Sequence, residues 1–265
     1  MAPMPSTRLR PRPSRRRWVA LLPALGLLLA EATCADGFAE LRAGMVAEIE
    51  ADVAATAHYI DKQALDPRVM QVMAQVPRDK FVPPEMKAAA FDNGPLPIGH
   101  GQTISQPYIV ALMTDLLELQ PEHVVLEVGT GSGYQTAILC ELCRQVYSVE
   151  VVAALSEAAA ARLKRLGYAN VETRIGNGYQ GWPEHAPYDG IIVTAAASHI
   201  PQPLIDQLKP GGRLVIPTGL PYSYQELMLI SKDAQGDIHS HSVLGVAFVP
   251  LIDERPARAA DESSD

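Results

Sequence analysis

The chain predicts a doubly wound α/β sheet with an antiparallel edge and helices ahead of it. Three observations carry that prediction. Residues 124–128, VVLEV, form a near-continuous apolar run that breaks at a glycine turn, GTGSG, and resumes as a helical pattern. A parallel strand covered on both faces by crossover helices has this appearance. Between residues 145 and 218 short apolar runs alternate with helical stretches, as strands joined by crossovers require. Two more strand-like runs, 226–231 and 241–248, flank the turn sequence DAQGD at 233–237, which sets a hairpin on one edge.

The 265 residues, 48% of them apolar, suffice for one sizeable domain with small additions. Residues 1–35 read as a signal-peptide-like segment. Arg8, Arg10, Arg12, Arg15, Arg16 and Arg17 precede an apolar run at 18–30 that is too short to span a bilayer. Ala30-Glu31-Ala32 offers a cleavage site, and the SRRRWV of residues 14–19 has twin-arginine character. This predicts export to the periplasm; the competing reading is an early start, with Met45 as initiator. Residues 36–253 are predicted to form a single domain: a helical part at 36–92, a cofactor-binding core at 93–220 and terminal strands at 221–253. Residues 254–265, charged and small, read as a disordered tail.

Residues 1–32 hold six arginines and one glutamate, so without them the formal net charge moves from −8 to −13. A body that acidic, with no basic cluster, excludes nucleic-acid phosphates as a partner. No stable membrane span is expected, and a monomer is.

The elements follow in order. Residues 38–60 are helical, with Leu41, Met45, Ile49, Val53 and Ala57 recurring every fourth position. A shorter helix over 66–76 takes Asp66 as its cap before Pro67. PRDKFVPP at 77–84 is a break, 88–91 a helical turn, and a loop opens at Asn93. GHGQTISQP at 99–107 is a polar loop leading into a helix over 108–119. Such loops between rigid elements often carry chemistry, though a plain connector with a Ser/Pro cap would look the same. After the glycine turn come a helix over 134–142, a strand over 146–150 and a helix over 153–166 stopped by Gly167. Strands at 170–175, 188–194 and 214–218 follow, with a short helix at 203–208 and a KPGGR turn at 209–213.

A strand, a glycine turn and a helix N-terminus form a site for a polar group close to the backbone. The spacing here is G-x-G-x-G, with Tyr134 where a dinucleotide fingerprint needs a small residue. That argues against a nicotinamide or flavin dinucleotide and for a ligand without a pyrophosphate. Glu150, at the end of the next strand and about 20 residues beyond the glycines, is placed to accept both hydroxyls of a ribose.

These residues resemble the protein-L-isoaspartate (D-aspartate) O-methyltransferases over roughly residues 65–252. VLEVGTGSG at 125–133, Glu150 and KPGGRL at 209–214 form the pattern shared by many methyltransferases. It implies a Rossmann-like, S-adenosylmethionine-dependent methyltransferase sheet. The specific segments are GQTISQP at 101–107, VPRDKFVP at 76–83, IVTAA at 192–196 and FVPL at 248–251. The resemblance implies that Ser105 is the active-site serine and that Thr103 and Ile104 line the cofactor. It places Glu127, Gly129, Gly131, Gly133, Glu150, Asn177 and Gly178 around S-adenosylmethionine, and Ser105, Val249 and Pro250 against the substrate. Asn177 stands where the family usually has an aspartate on the adenine amino group; its amide oxygen accepts a bond without charge, so weaker adenine binding is expected. The implied partners are aged proteins and peptides carrying isoaspartyl or D-aspartyl residues, with no metal. The family also implies a cytoplasmic location, against the exported one read from residues 1–35.

The expected chemistry needs few side chains. A free carboxyl with a pKa near ~4 is already ionised at neutral pH, so no general base is required. Ser105 is expected to orient that carboxylate by a hydrogen bond; it lacks the G-x-S-x-G setting of a nucleophile. The methyl ester would then collapse to a succinimide. Cys140 and Cys143 form a C-x-x-C read as structural, since no second pair completes a zinc site. The histidines His100 and His199 read as plain loop residues, and Trp182 and Tyr134 as simple packing, with flanking of the adenine as the competing reading. Two other functional readings stand beside repair: a methyltransferase of the same fold with another carboxylate or small-molecule acceptor, and a non-catalytic binding protein.

Overall fold

In a computed structural model, residues 24–253 other than Tyr222 are described, with side chains from residue 38 onward. The signal-like segment lies outside the described residues up to position 23, as does the predicted tail. The described residues divide into two units, one ending at Glu40 and one beginning at Leu41, and the sheet belongs to the second.

The first helix, α1 (Ala24–Ile60), buries Met45, Ile49, Val53 and Ile60 but leaves Leu41 49% exposed, so the apolar stripe begins one turn later than its spacing indicates. Helix α2 (Pro67–Gln75) starts as predicted: Asp66 accepts a bond from the Arg68 amide, with Pro67 in the first turn. Two 3-10 turns follow, Arg78–Lys80 and Pro84–Ala89, the second several residues earlier than expected because Pro84 initiates it.

The predicted loop at 99–107 is in part a hairpin. Strand β1 (Leu96–Gly99) pairs antiparallel with β2 (Gln102–Ile104). His100 between them takes φ +54° and Gly101 +71°, the left-handed pair that a two-residue hairpin turn demands. Strands of four and three residues are too short to register as an alternating pattern. Helix α3 (Pro107–Leu116) leaves the hairpin directly.

The core is a seven-stranded sheet in the order β5-β4-β3-β6-β7-β8-β9. It comprises β3 (Val124–Val128), β4 (Gln145–Glu150), β5 (Val171–Ile175), β6 (Tyr188–Val193), β7 (Leu208–Gly219), β8 (Gln225–Lys232) and β9 (Ile238–Val246). Strands β3 to β7 are parallel; β8 and β9 run antiparallel along the edge. Crossovers α4 (Tyr134–Cys140), α5 (Ala153–Arg165) and α6 (Gln202–Asp206) complete it. Leu126, Val128, Val149, Ile191, Val193, Leu214 and Ile216 fill the interior. At about 1.5–3 kcal/mol per large buried side chain, they anchor the sheet. Strand β7 begins at Leu208, six residues before the predicted start: KPGGR extends the strand through a register shift, with Gly211 at φ +83°, where a turn was expected. The strand order reverses between β3's neighbours, β4 on one side and β6 on the other. Crevices at such a switch point, beyond the carboxyl ends of the strands, are where open α/β sheets bind ligands.

Candidate active site

A cleft with about 740 Å³ of empty space lies at that switch point. Its floor is the end of β3 and the glycine turn: Val128, Gly129, Thr130, Gly131 and Ser132 all line it. Gly129, Gly131 and Gly133 take φ of +99°, +52° and +83°, and a Cβ at Gly129 would collide with Thr194 Oγ1. Thr194, just past β6, donates to the Gly129 carbonyl at 2.6 Å, so the turn and the end of β6 are locked together.

Glu150 closes β4 and lines the cleft. Its Oε2 accepts the Gly131 amide at 2.8 Å and its Oε1 the Val152 amide at 2.9 Å. Each oxygen keeps a further lone pair, so the carboxylate is fixed in orientation and still able to accept hydroxyls. Thr103, Ile104 and Ser105, leaving β2, form the opposite wall. Segment 249–252 makes the third wall. It is tied to the continuation of β6 by Ala196 N–H to Val249 O and Leu251 N–H to Ala196 O, both 2.8 Å, which puts Val249 and Pro250 on the cleft.

Other expected residues sit behind the wall. Glu127 is fully buried beneath the glycine turn and not on the cleft; Thr136 and Ser148 donate to its Oε2 at 2.5 and 2.6 Å. Burial pushes its carboxyl up to about 8, against the downward pull of those two hydroxyls. The period-2 alternation of β3 points it away from Val128's face, so Glu127 is not in the cleft lining and is bonded to Thr136 of α4 and Ser148 of β4. A Cβ at Gly133 would meet Leu163 and Ala159 of α5. Asn177 caps the 3-10 turn at Gly178–Gln180 through the Tyr179 amide, and its Nδ2 donates to Asp253 at 2.6 Å. The residue beside it, Gly178, lines the cleft, and a Cβ there would strike Val128.

Two residues that sequence reasoning passed over hold the walls. Arg78 is fully buried and donates to three carbonyls: Ala90 at 2.9 Å, Gly94 at 3.4 Å and Ser105 at 2.7 Å. Its guanidinium carbon lies 4.8 Å from the Tyr134 ring centroid, and burial lowers its pKa. Buried Gln225 clamps Phe248 from both sides, accepting its amide at 2.6 Å and donating to its carbonyl at 3.1 Å. An arginine inside the PRDKF segment was the available signal for the first; Gln225 gave none.

The secondary features resolve simply. Cys140 and Cys143 are free and buried, and burial raises both thiols. Trp182 packs on Arg174 and Tyr147, away from the cleft; Tyr134 lines it but is 1% exposed. Among the described residues, no group of three His, Cys, Asp or Glu side chains is placed to hold a metal. No described helix is long and apolar enough to cross a membrane.

The glycine cradle and the oriented Glu150 carboxylate fit an adenosyl ligand, and the switch-point cleft on a sheet of this order defines an S-adenosylmethionine-dependent methyltransferase. The protein-L-isoaspartate(D-aspartate) O-methyltransferase family model matches residues 55–256. The chain is 63% identical to protein-L-isoaspartate O-methyltransferase 2 of Syntrophobacter fumaroxidans, over 82% of this chain and 87% of that one. It is 54% identical to protein-L-isoaspartate O-methyltransferase 1 of Cupriavidus necator, over 91% and 93%. A solved protein-L-isoaspartate O-methyltransferase superposes with TM-score 0.67 at 28% identity, covering 79% of this chain and 65% of that one. A Plasmodium falciparum structure described as the same enzyme, in complex with S-adenosyl-L-homocysteine, gives 0.64 at 29% identity, covering 77% and 97%. The chain belongs to the protein-L-isoaspartate(D-aspartate) O-methyltransferase family.

Proposed function

We infer that this chain transfers a methyl group from S-adenosylmethionine to the side-chain carboxylate of L-isoaspartyl, and D-aspartyl, residues in damaged proteins. Bound S-adenosylmethionine supplies an electrophilic methyl group on a sulfonium. The residues of this chain do the positioning. The Gly129–Ser132 backbone and Glu150 fix one reactant, and Ser105, at the junction of the cleft and the cavity next to it, orients the carboxylate in line. Val249 and Pro250 hold the peptide backbone beside it. Orientation of this kind is worth several kcal/mol of barrier. The single observation that carries the reading is Ser105 lining both cavities at once, with its carbonyl pinned by Arg78.

The test is recovery of normal backbone. An isoaspartyl peptide incubated with the chain and S-adenosylmethionine should disappear through its methyl ester and succinimide, with the aspartyl peptide accumulating. An isoaspartyl peptide that persists unchanged, while S-adenosylmethionine binds, sinks the repair function. Export of the mature chain is proposed from the arginines and apolar run of residues 8–30; a native N-terminus at Thr33 or Asp36 by mass spectrometry supports it, and one at Met1 or Met45 refutes it.

A further inference from the structure

A second cavity, with about 1240 Å³ of empty space, opens from Ser105, and its lining runs from Asp52 and Thr56 on α1 to Leu244–Val249 at and just past the end of β9. Asp52 is the sole acidic or basic side chain in the lining; the others are apolar, hydroxyl or amide groups. Its carboxylate is held in place. Asn93 donates to Oδ2 at 2.7 Å and Gln106, the residue after Ser105, donates to the same oxygen at 3.4 Å. Asn93 is itself fixed, accepting the Tyr108 amide at 3.3 Å, and Tyr108 meets Thr56 at 2.5 Å. No hydrogen bond among the described residues uses Oδ1, and no described cation pairs with Asp52. Among the described residues, this half-buried carboxylate has one oxygen committed to neutral donors, the other without a partner, and no cation of the kind such a setting favours.

On the reading that Ser105 orients the isoaspartyl carboxylate, we propose that Asp52 selects substrates: it binds a cationic group of the damaged peptide, a Lys or Arg side chain or a free α-amino group, within a few residues of the isoaspartyl site. Asp52 and Ser105 line the same cavity, and Asp52 is tied to Gln106, the residue next to Ser105; the cavity is large enough for a long side chain. The overall acidity of the chain, −8, attracts any basic peptide at long range. Asp52 adds a contact that survives salt, because partly buried pairs are screened less than exposed ones.

The test compares three isoaspartyl peptides differing at one flanking position, Lys, Gln or Glu, in the full chain and in Asp52→Asn, which keeps the acceptor for Asn93 and Gln106. The full chain should favour Lys over Gln. In D52N, KM for the Lys peptide should rise about five- to tenfold, the worth of one partly exposed charge-assisted bond. Its kcat, and both constants for the Gln peptide, should hold within about twofold, and KM for the Glu peptide should fall. Equal loss on all three peptides, or no change on any, overturns the proposal and leaves Asp52 as a tie between α1 and α3. A full chain that methylates none of the three while binding S-adenosylmethionine overturns the repair reading itself, and the preference with it.

Discussion

An isoaspartyl carboxyl is ionised at neutral pH, so Ser105 has only to hold one of its oxygens in line with the methyl group. Replacement of Ser105 by Ala should therefore lower kcat while leaving affinity for S-adenosylmethionine unchanged, because the cofactor face of the cleft is built by other residues. Steady-state kinetics and calorimetry separate the two. Glu127 makes a different kind of prediction. Its carboxyl, pushed up to about 8 by burial, stays protonated in the folded chain while the unfolded chain ionises near ~4.3. Between those values the folded state holds more protons, so stability falls as pH rises and levels off above about 8, by up to a few kcal/mol. Glu127→Gln should flatten that decline. Thermal melting of both proteins at pH 5 and pH 8 checks this; parallel declines would show that Glu127 does not titrate as its burial requires.

At the scale of elements, the site depends on supports more than on contacts. Arg78 gathers the carbonyls of three segments under Ser105, and Arg78→Met would strand them. The expected cost is about 2–4 kcal/mol in chemical denaturation. Arg78→Lys should recover only part, since an ammonium cannot reproduce the planar fork. The parts legible in sequence were those with local signals. The β3 apolar run, the glycine turn, Glu150 and the Asp66–Pro67 start of α2 each announce themselves within a few residues. The hairpin at 96–104 was hidden because its strands are too short to alternate, and β7 because a KPGGR segment that reads as a turn is carried into the strand by pairing with β6. Long-range ties such as Gln225 to Phe248, 23 residues apart, leave no trace in a local pattern. Asn177, chosen by resemblance, spends its amide on Tyr179 and Asp253, while its neighbour Gly178 reaches the cleft.

For the molecule as a whole, binding at the switch point couples β3, β4, β6 and the 249–252 segment, so ligand should stabilise the entire sheet. At a hundredfold excess over Kd the gain is about 2.7 kcal/mol, a rise of roughly 5–10 °C in melting temperature for a domain of this size. Gly129→Ala, blocked by Thr194 and by its positive φ, should abolish the rise. The measurement that bears most directly on the account is initial-rate transfer of labelled methyl to two peptides differing only in Asp versus isoAsp, run beside Ser105→Ala. Base-labile label on the isoAsp peptide alone, with kcat reduced at least about tenfold in the variant at unchanged cofactor affinity, is the predicted result. Equal labelling of both peptides, or a variant as fast as the parent chain, would contradict it.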